Sequence, residues 1–130
     1  MLRKVMRAKI HRATVTQTDP DYVGSITIDE DLLRASGIEP NEAVLVADVE
    51  NGNRFETYVF RGEAGSGVIG LNGAAARLAQ RGDKLIIIAY GYMTSEEMRH
   101  HVAHVVVTDE RNRIAQELRY PSHLPEVTVV

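Results

Sequence analysis

The dipeptide Gly24-Ser25 lies between the polar cluster Thr18, Asp19, Pro20, Asp21 and the apolar stretch Ile26 to Ile28, where a chain can make its own electrophile. A serine hydroxyl can attack the carbonyl of the preceding glycine and turn the peptide into an ester. Elimination of that ester leaves dehydroalanine, and hydrolysis then leaves a pyruvoyl group at a new amino terminus. A glycine before the serine also allows backbone angles that other residues resist. A second pair, Gly65-Ser66, offers the same chemistry. The dipeptide by itself does not choose between them.

Other constellations are weaker. Gly65, Gly67 and Gly70 satisfy the letter of a dinucleotide fingerprint, but Val68 and Ile69 between them are strand formers, and the motif needs a helix opening there. A loop is the better reading. The amides after Asn72-Gly73 could face a phosphate at a helix start, or Asn72 could be a plain cap. His100, His101 and His104 stand among valines that favour a strand, and no metal site is expected of them. The absence of cysteine excludes disulfides, thiolate nucleophiles and cysteine metal ligands.

The elements that must carry these residues are mostly short strands. Lys4 to Thr16 alternates loosely and is rich in β-branched types, so Ser25 follows a turn and opens the next strand. Ile28 to Ile38 reads as a short amphipathic helix capped by Asp29, with Leu32, Leu33 and Ala35 inward and Gly37 as its stop. Ala43 to Val49 and Arg54 to Phe60 flank Asn51-Gly52, the strongest hairpin signal in the chain. Val68 to Leu71 precedes an alanine-rich helical turn, and Leu85 to Tyr90, apolar on both faces, reads as a fully covered strand. Thr94 and Glu97 have capping-box spacing, and Val102 to Thr108 reads as the final clear strand. The 130 residues make one domain, and this pattern implies a mainly β barrel with short helices. A formal charge of -3 argues against nucleic acid as a partner. With no signal core and no long apolar run, a cytoplasmic chain without membrane contact is expected.

Several of these segments together resemble the pyruvoyl-dependent L-aspartate decarboxylases, from the amino terminus to about Met93. They are Lys9, Ile10, His11, Arg12; Tyr22, Gly24, Ser25; Asn51, Gly52, Arg54, Thr57, Tyr58; Gly65, Ser66; Asn72, Gly73, Ala74, Ala75, Ala76; and Gly82, Asp83. The resemblance implies a double-psi β-barrel and one domain over 1–130, self-cleaved between residues 24 and 25. It also implies a homotetramer with active sites between neighbouring subunits and a covalent pyruvoyl cofactor from Ser25. L-Aspartate would bind through a Schiff base and leave as β-alanine. By the same resemblance, Thr57 supports the cleavage at Gly24-Ser25 and binds substrate, and Tyr58 is the proton donor. Lys9 and Arg54 are the cations for two carboxylates. Asn72, Gly73, Ala74 and Ala75 bind substrate, and Tyr22 walls the pocket. An accessory maturation factor is a further partner of such enzymes; no metal is implied. His11 is assigned structure or processing but not catalysis.

Two positions depart from the family pattern. Asp21 stands where histidine commonly precedes the tyrosine of the cleavage loop, and Arg77 stands where histidine often follows the alanine block. A barrel that keeps the fold but never cleaves, acting as a binding or regulatory protein, is the alternative.

Overall fold

In the structure, a computed structural model that describes residues 1–123 and 128–130, the first strand does the work of two. Strand β1 (Arg3–Thr14) turns Ala8 and Ile10 into the core and pairs antiparallel with β7 (Lys84–Met93) on one side and parallel with β8 (Val102–Thr108) on the other. Two register irregularities, between Met6 and Ala8 and between His11 and Ala13, bend it. Arg12 sits at the second with φ 69°. Beyond Thr14 the chain runs on, with the Thr16 N–H donating to Ile69 O at 2.9 Å, into β2 (Gln17–Asp19), which lies parallel to β6 (Ile69–Asn72).

Those two pairings close a ring. From β7 it passes to β4 (Ala43–Asp48), β5 (Arg54–Gly62), β3 (Ser25–Asp29) and β6, and so back to β2. The β3/β5 and β2/β6 pairs are parallel, so the chain must cross the barrel between them rather than turn back as a hairpin. This is the mainly β, double-psi β-barrel architecture. Ile10, Ile26, Ile28, Leu71, Leu85 and Ile87 fill its interior with no exposed surface.

Local signals fall where they were read. Helix α1 (Glu30–Ser36) starts at Asp29, whose side chain accepts the Asp31 N–H, and ends at Gly37 with φ 78°. The Thr94 and Glu97 capping box opens α2 (Ser95–Met98). The Asn51-Gly52 hairpin forms, but its turn spans the residues between Asp48 and Arg54, and of its two turn residues only Gly52 has a left-handed φ.

Three expectations need correction. Val102–Thr108 is not the last strand, because β9 (Ile114–Pro121) pairs with it and β10 (Thr128–Val129) pairs with β9. These strands are largely exposed, so no buried face imposes an apolar period on them. Strand β7 is not covered on both faces: Leu85, Ile87 and Ala89 are buried, whereas Ile86, Ile88 and Tyr90 are half-buried outside the barrel. Of the three histidines, only His104 lies on β8; His100 and His101 precede it in the turn after α2.

The glycine loop before β6 is a loop, with its amides already engaged. Gly65 and Gly67 take φ 78° and 72° and donate their N–H groups to the Asp29 carboxylate at 3.1 and 2.8 Å. Asp29 is 1% exposed, so three backbone donors meet a single buried charge there. Nearby, the Asn112 side chain accepts from Thr14 N–H and donates to Thr14 O and Gly67 O, tying the β8/β9 turn to β1 and to this loop. Replacing Asp29 with alanine strands all three donors. The expected loss is about 3 kcal/mol or more in urea unfolding, while Asp29→Asn loses less because it keeps an acceptor.

Candidate active site

Strand β3 begins at Ser25, whose neighbour across the ladder is Asn72 at the end of β6. A 3-10 turn over Gly73–Arg77 follows directly. Together with β5 these elements enclose a cleft of about 290 Å³. It brings Gly24, Ser25, Thr57, Tyr58, Asn72, Ala74 and Ala75 together, which sequence reasoning had proposed, and adds Phe55, Glu56 and Leu78, which it had not.

Ser25 is 0% exposed and its Oγ has no hydrogen-bond partner among the described residues. The serine of the second Gly-Ser pair is unlike it. Ser66 Oγ donates to Glu63 O at 2.6 Å and accepts from Val68 N–H at 3.2 Å, the ordinary duty of a turn serine. Only the first pair therefore presents an uncommitted nucleophile.

Asn72 is not a plain cap. Its side chain caps nothing in the 3-10 turn and instead donates from Nδ2 to Thr27 Oγ1 at 3.2 Å. Thr27 lies two residues beyond Ser25 and so on the same face of β3. That period-2 relation was available from the sequence and was missed. Phe55, Glu56 and Leu78 had no such signal, since only the barrel brings β5 against the 3-10 turn.

The demand for glycine falls on a different residue from the one expected. Gly24 does not take a positive φ, and a Cβ built on it would meet only Asn72 O at 3.8 Å and Gly73 Cα at 3.9 Å. Gly73 has φ 62°, and its Cβ would lie 2.8 Å from Gly24 Cα. The backbone of the loop before β3 thus rests directly on Gly73.

The aromatic residues line up edge to face. Tyr22 meets Phe60 with ring centroids 6.5 Å apart, and Phe60 meets Tyr58 at 5.8 Å. Tyr22 is half-exposed and reaches the cleft through Phe60 rather than lining it. The two expected cations are not in the cleft of a single chain. Lys9 extends from β1 to within 5.4 Å of the Tyr120 ring centroid on β9, and Arg54 is exposed at the start of β5. Thr57 lines the cleft, yet makes no hydrogen bond to Gly24 among the described residues.

His11 is half-buried on β1, and its Nδ1 is enclosed with no partner among the described residues. Burial first, then the positive charges of Lys9 and Arg12, push its pKa below the ordinary 6.5. A folded state that binds this proton less tightly than the unfolded chain keeps the full contribution above pH 6.5 and loses it as pH falls below. His11→Gln should accordingly show a shallower loss of urea midpoint than the parent between pH 7 and pH 5.

Two glycine variants test the packing of the loop. Gly73→Ala is expected to cost about 2–3 kcal/mol through strain and the clash with Gly24. Gly24→Ala should cost less than about 1 kcal/mol in chemical denaturation, because its Cβ meets only ordinary contacts.

Comparison with known proteins adds an independent finding. Residues 1–115 match the family model described as "Aspartate decarboxylase", so the likeness continues past Met93 into β9. The chain is 57% identical over 116 residues to an aspartate 1-decarboxylase of Caldicellulosiruptor saccharolyticus, covering 89% of this chain and 91% of the relative. It is 55% identical over 123 residues to that of Lactiplantibacillus plantarum, covering 95% of each. Among solved structures, the computationally designed protein msDPBB_sym2 gives a TM-score of 0.42 at 18% identity, over 67% of this chain and 99% of that one.

Proposed function

The chain belongs to the aspartate decarboxylase family, and from that premise we propose that it cleaves itself between Gly24 and Ser25 and converts L-aspartate to β-alanine with a pyruvoyl group made from Ser25. Decarboxylation of aspartate is the activity of the enzymes it matches. The single observation that carries the finer reading is Ser25 itself, a buried hydroxyl with no partner among the described residues, at the end of a cleft that also holds Thr57, Tyr58 and Asn72.

Processing begins when Ser25 Oγ attacks the Gly24 carbonyl carbon. The C–O bond forms as the peptide C–N bond breaks, and the nitrogen leaves as the Ser25 amine. Thr57 is the donor for negative charge on the Gly24 oxygen. Loss of the Ser25 α-proton then expels the Gly24 carboxylate, and the enamine left behind takes up water and releases ammonia. The pocket fits the resulting group, since Ser25 already stands in the cleft with its polar atom unpaired.

A pyruvoyl group supplies a ketone that condenses with an amine and withdraws the electron pair left by departing carbon dioxide. The chain's own residues hold the rest of the reaction. Arg54 can grip one substrate carboxylate with two parallel hydrogen bonds, and Lys9 offers a compact charge to the other. Neither cation lines the cleft of its own chain, which supports a homotetramer whose sites lie between neighbouring subunits. Tyr58 donates a proton to the substrate carbon. Asn72, with the backbone of Gly73, Ala74 and Ala75, orients the reacting groups. Tyr22, through Phe60, backs the Tyr58 ring at the cleft. No helix among the described residues is long and apolar enough to cross a membrane, and we place the enzyme in the cytoplasm.

Intact-mass spectrometry after warm incubation tests the cleavage. A fragment ending at Gly24 is expected from the parent chain, and none from Ser25→Ala. A parent that stays whole while turning over aspartate at full rate rejects the proposal and leaves an uncleaved barrel. Arg54→Ala should cleave normally yet lose about a hundredfold or more in kcat/KM, the cost of a lost charge-assisted pair. Unchanged turnover would remove Arg54 from substrate binding.

A further inference from the structure

The cleft is walled by β5 on one side and by the 3-10 turn with Leu78 on the other. Among the described residues no strand pairing joins these two walls, because β5 pairs with β3 and β4. Two side chains join them instead. Asn51 Nδ2 and Asn53 Nδ2, at the tip of the β4/β5 turn, both donate to Leu78 O, at 3.1 and 2.9 Å. That carbonyl stands at the end of the 3-10 turn, where the turn itself supplies no donor, and each of its lone pairs takes one amide. Leu78 N–H in turn donates to Ala75 O at 3.0 Å, so the position of Leu78 is passed on to the Ala75 wall of the cleft.

Turn chemistry accounts for Asn51, the first residue of the Asn51-Gly52 pair, but not for Asn53, which lies outside it. Asn53 is exposed, yet it is held at three points. Its N–H donates to Asn51 Oδ1 at 2.8 Å, its carbonyl accepts the Asp48 N–H at 2.9 Å, and its side chain holds Leu78. An exposed turn tip is ordinarily the loosest part of a hairpin. Here it is fixed, and the next residue is Arg54, where β5 begins.

We propose that Asn53, together with Asn51, is a positioning residue for substrate binding: the pair sets the separation of the two cleft walls and fixes where Arg54 leaves β5. This rests on the role given above to Arg54 in gripping a substrate carboxylate. Neither asparagine lines the cleft, so both act through Leu78 and Arg54 rather than on the reacting atoms. The groups that carry out the chemistry are held by other means. Thr57 and Tyr58 lie opposite Val44 and Ala43 in the β4/β5 ladder, and Ser25 lies opposite Asn72 in the β3/β6 ladder. Loss of the Asn53 clamp therefore weakens binding and spares both self-cleavage and proton transfer.

The test compares Asn53→Ala and Asn53→Leu with the parent, leucine keeping the side-chain volume without its donor. Both variants should self-cleave at the parent's rate by intact mass and keep kcat within about twofold, while KM for aspartate rises about three- to tenfold, the scale of one lost hydrogen bond. A second readout needs no activity. Amide hydrogen exchange over residues 73–79 should quicken by about threefold or more in both variants, with α1 exchanging as in the parent. Unchanged KM beside an active parent, a leucine variant that behaves like the parent, unaltered exchange over 73–79, or a fall in cleavage and kcat as large as the change in KM overturns the positioning role alone. A cleaved parent that does not turn over aspartate overturns it together with the decarboxylase reading.

Discussion

The barrel depends on one stretch of chain pairing in two places. Arg3 to Thr14 holds β7, and its continuation through Thr16 to Asp19 holds β6. Without that dual pairing β6 and β7 would be free edges, and an open sheet of this size would expose backbone groups along both. With it, the ring satisfies its own ladder and encloses a core of isoleucine, leucine and valine. The bulges around Met6 and Arg12 are the local distortions that let one strand bend between two neighbours.

Closure also positions the chemistry. Strand β3 is clamped between β5 and β6, so its first residue cannot drift, and that residue is Ser25. The loop before it rests on Gly73, with backbone against backbone where a side chain would collide. A buried hydroxyl without a partner is normally a destabilising feature. It persists here because the surrounding ladder overdetermines its position, which is the condition under which a fold can hold a reactive group in an unfavourable state.

The polar groups around the site show how long-range contacts complete what local signals begin. Asp29 is a helix cap by local grammar, but the same carboxylate also accepts from Gly65 and Gly67 on the loop before β6. The helix start and the glycine loop are therefore one structure, and the Gly65 and Gly67 amides are already taken by Asp29. Asn72 makes a similar change of role, from an expected cap to a partner of Thr27 beside Ser25.

How much could be read in advance follows from the range of each interaction. The caps of α1 and α2 and the Asn51-Gly52 hairpin were legible because the residues that decide them are at most a few positions apart. Strands β9 and β10 were not, because no buried face imposes an apolar period on an exposed ribbon. From the sequence alone came the mainly β class, the two Gly-Ser pairs and the side chains able to serve them. Only the tertiary structure decided that Ser25 is buried and uncommitted while Ser66 is satisfied, that Gly73 rather than Gly24 must lack a side chain, and that Lys9 and Arg54 stand outside the cleft of their own chain. The physical reason is that side-chain type and local pattern are written along the chain. Burial and close approach between distant segments such as Gly24 and Gly73 exist only once the barrel has closed.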